Sequence, residues 1–341
     1  MPEPNDVPWS PGTATGIGSW PGDDPLETAR TVVGEVPNLP YLPELPGRGP
    51  GADMVGRTAA SLLVGLEVDL QPAGWRLVDR PGVDARRARA MLGHDLDAFE
   101  EAAQASEGPV KVQVCGPWTL AARLELPRGG PVLADTGARR DVAESLAEGV
   151  SAHIADVRRR LPGAPPLVQL DEPALPAALA GTVPTASGFS RVDPVEPQVA
   201  TATLADVVTA VAEAGGWPLV HCCASGVPLR LLRAAGARAV ALDVSLLTSE
   251  ADDDVGELVE AGFGLLLGAV PSTDHGGEPS VDEVAGPVRE LWRRVGLAGD
   301  LLGARVAVTP TCGLAGASPG WARKATALCA QAARALGDLA G

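Results

Sequence analysis

The sequence lacks an apolar run long enough to cross a membrane. Its longest apolar stretch, residues 259–270, is broken by Glu260 and by glycines and falls short of the roughly 20 residues that span a bilayer. The first 12 residues contain four prolines but neither a cationic start nor an apolar core, so they do not resemble a signal peptide. We therefore expect a cytoplasmic protein in which residues 1–12 form a disordered or extended leader.

Positive charge and cysteine are both scarce. The 27 Lys and Arg residues are outnumbered by 43 Asp and Glu, which gives a formal net charge of −16, and no Lys/Arg-rich run of the kind that binds nucleic acid is present. Five cysteines, an odd number with two of them adjacent, do not resemble the dense, even framework of a secreted scaffold. The composition argues against nucleic acid and membrane as partners, and it favours reduced thiols or metal ligands.

Short β-rich segments alternate with helical ones along the chain, which is typical of a parallel sheet with crossover helices. No G-x-G-x-x-G follows an early strand, as an open dinucleotide-binding sheet would require. The 341 residues suit one (β/α)8 barrel with insertions, and we predict a single barrel domain over residues 13–341. Its predicted strands are residues 13–18, 65–70, 112–114, 167–170, 219–220, 239–242, 264–267 and 306–308.

A Pro/Gly-rich stretch, residues 42–51, is too short for a linker between domains and is predicted to be a long loop after a strand. Loops at the C-terminal ends of barrel strands build active sites. Glu44, Arg48 and Asp53 in and beside this stretch are therefore candidates for contacting a substrate. A rigid surface turn is the alternative interpretation.

The sharpest local motif is His221-Cys222-Cys223, which directly follows the apolar residues 218–220. Side chains alternate in an extended segment, so His221 and Cys223 are expected to point to one side and Cys222 to the other. A barrel brings the C-terminal ends of its strands to one rim, where Asp243 and Cys312 also follow predicted strands. We predict that His221, Cys223, Asp243 and Cys312 meet there and bind Zn²⁺, which takes imidazole, thiolate and carboxylate ligands.

Packing is the competing interpretation of each cysteine, because free cysteine is commonly a small buried hydrophobe and an isolated H-x-C motif is weak. We assign Cys222 and Cys329 to packing, and packing is also favoured for Cys115. For Cys223 and Cys312 the strand context and the Cys-Gly turn after the last strand favour a metal site.

Taken together, these motifs resemble the zinc-binding C-terminal half of the cobalamin-independent methionine synthases, over most of the chain from Thr13 to Leu336. Residues 15–21 are similar to the family's first-strand I-G-S-F-P segment, residues 112–119 to its G-P-V-T segment and residues 168–175 to its I-D-E-P-A-L strand. Residues 220–223 and 310–314 are similar to its zinc-binding segments. The resemblance implies a short, single-domain form of a catalytic TIM barrel of the uroporphyrinogen decarboxylase/methionine synthase type.

The resemblance also implies an activity and a substrate site. It implies zinc-dependent transfer of a methyl group to homocysteine to give methionine, with Ile17, Ser19 and Asp171 binding the amino acid and Asp171 as the catalytic residue. The chemistry agrees, because an ammonium group needs a carboxylate partner and a carboxylate needs hydroxyl and backbone N–H donors. A helix N-cap is the alternative role for Asp171.

Three departures from the family pattern bear on the mechanism. The family's zinc-binding carboxylate is glutamate, whereas this chain has the shorter Asp243. The family's proton-handling histidine is missing from the segment at residues 268–272. His275 is a candidate replacement, but a solvated loop histidine is the favoured interpretation of this residue. The large synthases carry a second, N-terminal barrel that helps to hold the folate tail, so the methyl donor is expected to be either a methyl-folate or a methylcorrinoid, the latter possibly bound to a protein.

Two other functions stay open from the sequence. A methyltransferase for another thiol, of the coenzyme M type, shares the barrel and the H-x-C…C pattern. A barrel without metal or catalysis that only binds a small molecule is the second, and the missing histidine favours it.

Overall fold

The computed structural model of the protein describes residues 7–274, 276–277 and 279–338. His275 and residues 1–6 of the predicted leader lie outside the described residues. The described chain contains twelve α-helices: α1 (Pro25–Glu35), α2 (Met54–Leu62), α3 (Val83–Ala103), α4 (Pro117–Arg123), α5 (Thr136–Arg160), α6 (Leu175–Leu179), α7 (Pro197–Glu213), α8 (Leu229–Ala234), α9 (Asp252–Glu260), α10 (Val281–Val295), α11 (Gly299–Arg305) and α12 (Pro319–Gly337).

Six parallel strands form the central sheet and lie side by side in the order of the sequence. They follow a short ribbon of β1 (Glu67–Gln71) and β2 (Gly74–Val78), and are β3 (Val110–Cys115), β4 (Pro166–Asp171), β5 (Trp217–His221), β6 (Ala239–Asp243), β7 (Gly264–Val270) and β8 (Val306–Pro310). Helices separate consecutive strands, so the predicted β/α alternation is confirmed for these six. The fold is α/β with a curled, TIM-barrel-like parallel sheet.

Two extended segments carry backbone hydrogen bonds beyond the edges of this sheet. Ala14 forms a parallel bridge to Val308 of β8, and Tyr41 forms one to Lys111 of β3. A third parallel bridge joins Ser19 to Glu44. Residues 14–19 and 41–44 therefore connect the last strand of the sheet with the first.

The prediction of a sheet strand at residues 65–70 is wrong. Glu67–Gln71 pairs with Gly74–Val78 in an antiparallel ribbon, with Glu67 opposite Val78. Only Pro72 and Ala73 connect the two strands, and so short a connection returns the chain directly beside itself. The β-rich composition that predicted this strand carries no information about which strand it pairs with.

Apolar side chains pack on both faces of the sheet. Val168 and Leu170 of β4 belong to the large cluster shared with the helices, whereas Leu167 belongs to a smaller inner cluster. Trp9 is buried in that inner cluster, with its ring 5.4 Å from the ring of Trp217 in an edge-to-face arrangement. This part of the predicted leader therefore packs into the fold and is not loose.

Among the described helices, none combines the length and apolar character that crossing a bilayer requires.

Candidate metal centre

Three of the predicted ligands come together at the C-terminal ends of the strands. His221 is the last residue of β5, Cys223 follows it by two positions, and Cys312 follows the end of β8. Their ligand atoms all lie within 4.8 Å of one another. Imidazole and two thiols at this spacing form a group that can hold a metal ion, and this donor set is one of those that bind zinc in proteins.

The imidazole of His221 is held by a carboxylate on the neighbouring strand. Asp171 ends β4 directly opposite His221 in the register of the two strands, and Asp171 Oδ1 lies 2.8 Å from His221 Nδ1. The other ring nitrogen, Nε2, is buried and has no hydrogen-bond partner among the described residues. Metal-binding histidines typically have this arrangement, in which one nitrogen bonds a carboxylate and the other faces the metal.

Burial and charge act in opposite directions on the pKa of His221. Burial lowers the pKa, but the hydrogen bond to Asp171, the close approach of the Cys312 thiol and the negative charges of both groups outweigh it and raise the pKa to about 9. The imidazole thus lies in a region of negative electrostatic potential, which would also attract a cation.

The two cysteines of the group share a proton. Cys312 Sγ lies 3.3 Å from Cys223 Sγ, and the hydrogen bond shared between the two thiols, helped by the interaction with His221 and its charge, holds the pKa of Cys312 well below its usual value. The same shared proton raises the pKa of Cys223. One thiolate is therefore already stabilised before any cation binds, and thiolate is the form that binds metal.

The alternation predicted for the His221-Cys222-Cys223 motif agrees with the positions of these residues. Cys222 lies outside the three-residue group and is almost fully buried. It lines a cavity of about 520 Å³ that none of the three grouped residues lines. Burial raises the pKa of its thiol to about 12. Its environment suits the packing role assigned from the sequence.

Asp243, the fourth predicted ligand, is not brought into the group. Its Oδ1 accepts hydrogen bonds from the backbone N–H of Ser245 at 2.9 Å and from the Ser245 hydroxyl at 2.7 Å. These bonds cap the short 3₁₀ turn Val244–Leu246. With one methylene fewer than glutamate, the carboxylate is engaged by its own turn rather than by the cluster.

Two of the predicted substrate residues lie on the extended segment next to β8. Ser19 Oγ lies 3.4 Å from the backbone N–H of Ala315, and the Ser19 carbonyl accepts from Leu314 N–H at 2.8 Å. These contacts place Ser19 against the turn that follows Cys312. A Cβ atom on Gly313 would overlap Ser19 Oγ, so the close approach depends on glycine at that position.

The carbonyl of Ile17 faces the polar interior of the sheet. It accepts hydrogen bonds from Lys111 Nζ at 2.9 Å and from Gln169 Nε2 at 2.8 Å. Asp171, the third predicted substrate residue, also accepts from Gln169 Nε2, at 2.7 Å. Lys111 and Gln169 were not predicted as site residues from the sequence. A charged residue and an amide residue at inward positions of otherwise apolar strands could have indicated a polar site there.

The predicted substrate loop separates into one residue near the site and two with structural roles. Glu44 is buried beside the Ser19 segment and pairs with Arg57 at 3.1 Å, and burial raises its pKa to about 7 against the opposing charge of Arg57. Arg48 instead pairs with Asp95 at 2.7 Å, and Asp53 accepts from Gly56 N–H at the start of α2.

Comparison with known proteins adds an independent line of evidence. The family model described as cobalamin-independent synthase, catalytic domain, matches residues 12–335. A B12-independent methionine synthase from Shewanella sp. W3-18-1, solved in complex with selenomethionine, is similar over 97% of both chains, with 12% identity and a TM-score of 0.56. A β-methylaspartase from Clostridium tetanomorphum is similar over 95% of this chain and 59% of its own, with 12% identity and a TM-score of 0.44. No curated protein matches.

Proposed function

Because the chain belongs to the family of cobalamin-independent synthase catalytic domains, we propose that it is a zinc-dependent methyltransferase whose methyl acceptor is the thiol of homocysteine. The product is then methionine. The methyl donor is a methyl-folate or a methylcorrinoid, and the assay described below distinguishes the two.

The observation that carries this proposal is the set of atoms around His221 Nε2. This nitrogen is buried without a hydrogen-bond partner among the described residues, although leaving such a group unsatisfied costs about 1–3 kcal/mol. Two cysteine sulfurs lie within reach of it, and one of them is stabilised as thiolate. A soft cation bonded to all three atoms would satisfy the nitrogen and neutralise the thiolates, so the residues fit zinc.

His221, Cys223 and Cys312 would hold Zn²⁺, with three protein ligands as in catalytic zinc sites, and the ion would supply the positive charge that favours the thiolate form of a nearby thiol. Asp171 keeps the His221 ring in place through Nδ1. Because Nδ1 donates to this carboxylate, Nε2 is the ring nitrogen left to bind the ion.

The amino-acid end of the substrate is proposed to lie between Asp171 and Ser19. Both side-chain hydrogen bonds of Asp171 to described residues use Oδ1, so Oδ2 can accept from the substrate ammonium group. The Ser19 hydroxyl, next to the turn at residues 313–315, can donate to the substrate carboxylate.

For the fold, we propose that the sheet closes as an eight-stranded (β/α)8 barrel. Residues 14–19 and 41–44 would be its first two strands, supported by the bridges Ala14 to Val308 and Tyr41 to Lys111. Closure would bring Ser19 and Cys312 to the same rim, which the proposed reaction needs.

The test combines metal analysis with a methyl-transfer assay. The purified protein should contain one zinc per chain, and it should form methionine from homocysteine with either methyltetrahydrofolate or methylcobalamin as donor. Coenzyme M serves as the acceptor without an amino group. Absence of stoichiometric zinc, or transfer to coenzyme M in preference to homocysteine, would contradict the proposal.

A further inference from the structure

Lys111 is buried inside the sheet with an acceptor for each N–H of its ammonium form. Burial lowers the pKa of Lys111 to about 7, and the charges of Asp171 and Glu44 oppose this shift and favour the ammonium form. Its side chain is fully buried, and Nζ donates to the Ile17 carbonyl at 2.9 Å, to Gln113 Oε1 at 3.1 Å and to Gln169 Oε1 at 2.8 Å. An ammonium group has three N–H donors and no acceptor. All three donors are therefore used, and every partner must present an oxygen.

This requirement determines which way the Gln169 amide faces. Its Oε1 must point to Lys111, so its Nε2 is left to donate to the Ile17 carbonyl at 2.8 Å and to Asp171 Oδ1 at 2.7 Å. Gln169 and Asp171 are two residues apart on β4 and hence on the same face of the strand. The hydrogen bond from Lys111 thus fixes the orientation of the amide, so that the amide donates to Asp171.

Asp171 in turn fixes which nitrogen of His221 faces the other metal-binding residues. Its Oδ1 accepts from Gln169 and also meets His221 Nδ1 at 2.8 Å, so Nδ1 carries a proton and Nε2 is the ring nitrogen left for the metal ion. We propose that Lys111 and Gln169 are positioning residues, which orient Asp171 and through it present His221 Nε2 to the metal ion. The proposal rests on the proposed function, because it requires a metal at His221.

The same two residues also hold the substrate segment. Lys111 and Gln169 both donate to the Ile17 carbonyl, two residues before Ser19. The pair therefore links the segment that binds the amino acid to the residue that orients the metal ligand. If Lys111 and Gln169 only filled the interior with satisfied polar groups, the effect of replacing Gln169 would not depend on the presence of Asp171.

The experiment measures the Kd for Zn²⁺ by competition with a chelator, and the absorption spectrum of the Co²⁺ form. Both are measured for wild type, for three single variants and for the Asp171→Ala background with and without Gln169→Met. Wild type is compared with Gln169→Met, which removes both polar groups, and Gln169→Glu, which keeps an oxygen for Lys111 but cannot donate to Asp171. Gln113→Met is the matched control, because Gln113 also accepts from Lys111 but its amide nitrogen donates to the Leu42 carbonyl.

We expect Gln169→Met and Gln169→Glu to weaken zinc binding by about tenfold or more and to change the Co²⁺ spectrum, as loss of outer-shell partners typically does. Gln113→Met should stay within about twofold of wild type. In an Asp171→Ala background, Gln169→Met should cost nothing further, because its effect is exerted through Asp171. Thermal unfolding of the metal-free proteins checks that each variant folds, and Gln169→Glu carries the test should Gln169→Met fail to do so.

Three results overturn the inference alone. The first is wild-type zinc affinity in both Gln169 variants while wild type binds zinc. The second is an undiminished effect of Gln169→Met in the Asp171→Ala background, and the third is a loss in Gln113→Met equal to that in Gln169→Met. A wild-type protein that binds no zinc overturns the proposed function and this inference together.

Discussion

Asp171 Oδ1 and His221 Nδ1 lie 2.8 Å apart across two neighbouring strands, at positions that are opposite one another in the strand register. In the function proposed above, this carboxylate contacts the imidazole that would bind zinc and offers its other oxygen to the substrate. The proposed metal centre and substrate site would then share a single residue, and substitutions there should affect both.

The composition of the metal centre leads to the first prediction. His221→Ala, Cys223→Ser and Cys312→Ser should each lower the zinc content sharply, because two remaining ligands hold the ion weakly. Metal analysis of the purified variants is the measurement. Cys222→Ser is the matched control, since Cys222 is adjacent in sequence but lies outside the group. A loss of zinc in Cys222→Ser as large as in Cys223→Ser would refute the alternation argument.

Asp243 provides the second prediction, because its carboxylate caps a turn instead of joining the cluster. Asp243→Ala should retain zinc and lose about 1 kcal/mol of unfolding free energy, the usual value for a capping side chain. Zinc content and denaturant unfolding measure the two effects. Loss of stoichiometric zinc in this variant would instead make Asp243 a ligand, as the sequence analysis expected.

The third prediction concerns recognition of the substrate ammonium group by Asp171. Asp171→Asn should weaken homocysteine binding by roughly ten- to hundred-fold, because a hydrogen bond to a charged group is worth on the order of 1.5–3 kcal/mol. A simple alkyl thiol of similar length should lose much less. The titrations are performed at saturating zinc, because losing the Asp171 partner of His221 also weakens metal binding. Equal losses of affinity for both thiols would contradict the assignment of Asp171 to the substrate ammonium group.

Gly313 provides the fourth prediction, because its backbone approaches Ser19 more closely than a side chain allows. Gly313→Ala should destabilise the protein by about 1–3 kcal/mol, as overpacking does, and should weaken homocysteine binding by displacing the serine. Adding Ser19→Ala removes the overlapping hydroxyl and should recover stability but not affinity. Recovery of both would show that the Ser19 hydroxyl does not contact the substrate.

Much of this protein is already determined by local features of its sequence. The alternation of side chains in an extended segment separates Cys222 from His221 and Cys223, and the order of strands and helices predicts a parallel sheet with its chemistry at one rim. These features depend on residues within a few positions of one another. The family resemblance, carried by short motifs of the same kind, is confirmed by the match over residues 12–335.

Only the tertiary structure decided which side chains satisfy one another. The contact of Ser19 with Ala315 spans 296 positions and that of Lys111 with Gln169 spans 58, and no local pattern specifies such pairs. The burial of Trp9 against Trp217 depends in the same way on which partner is within reach after folding. Buried polar groups take the nearest available partner, because leaving them unpaired is costly, and the arrangement of the whole sheet decides which partner that is.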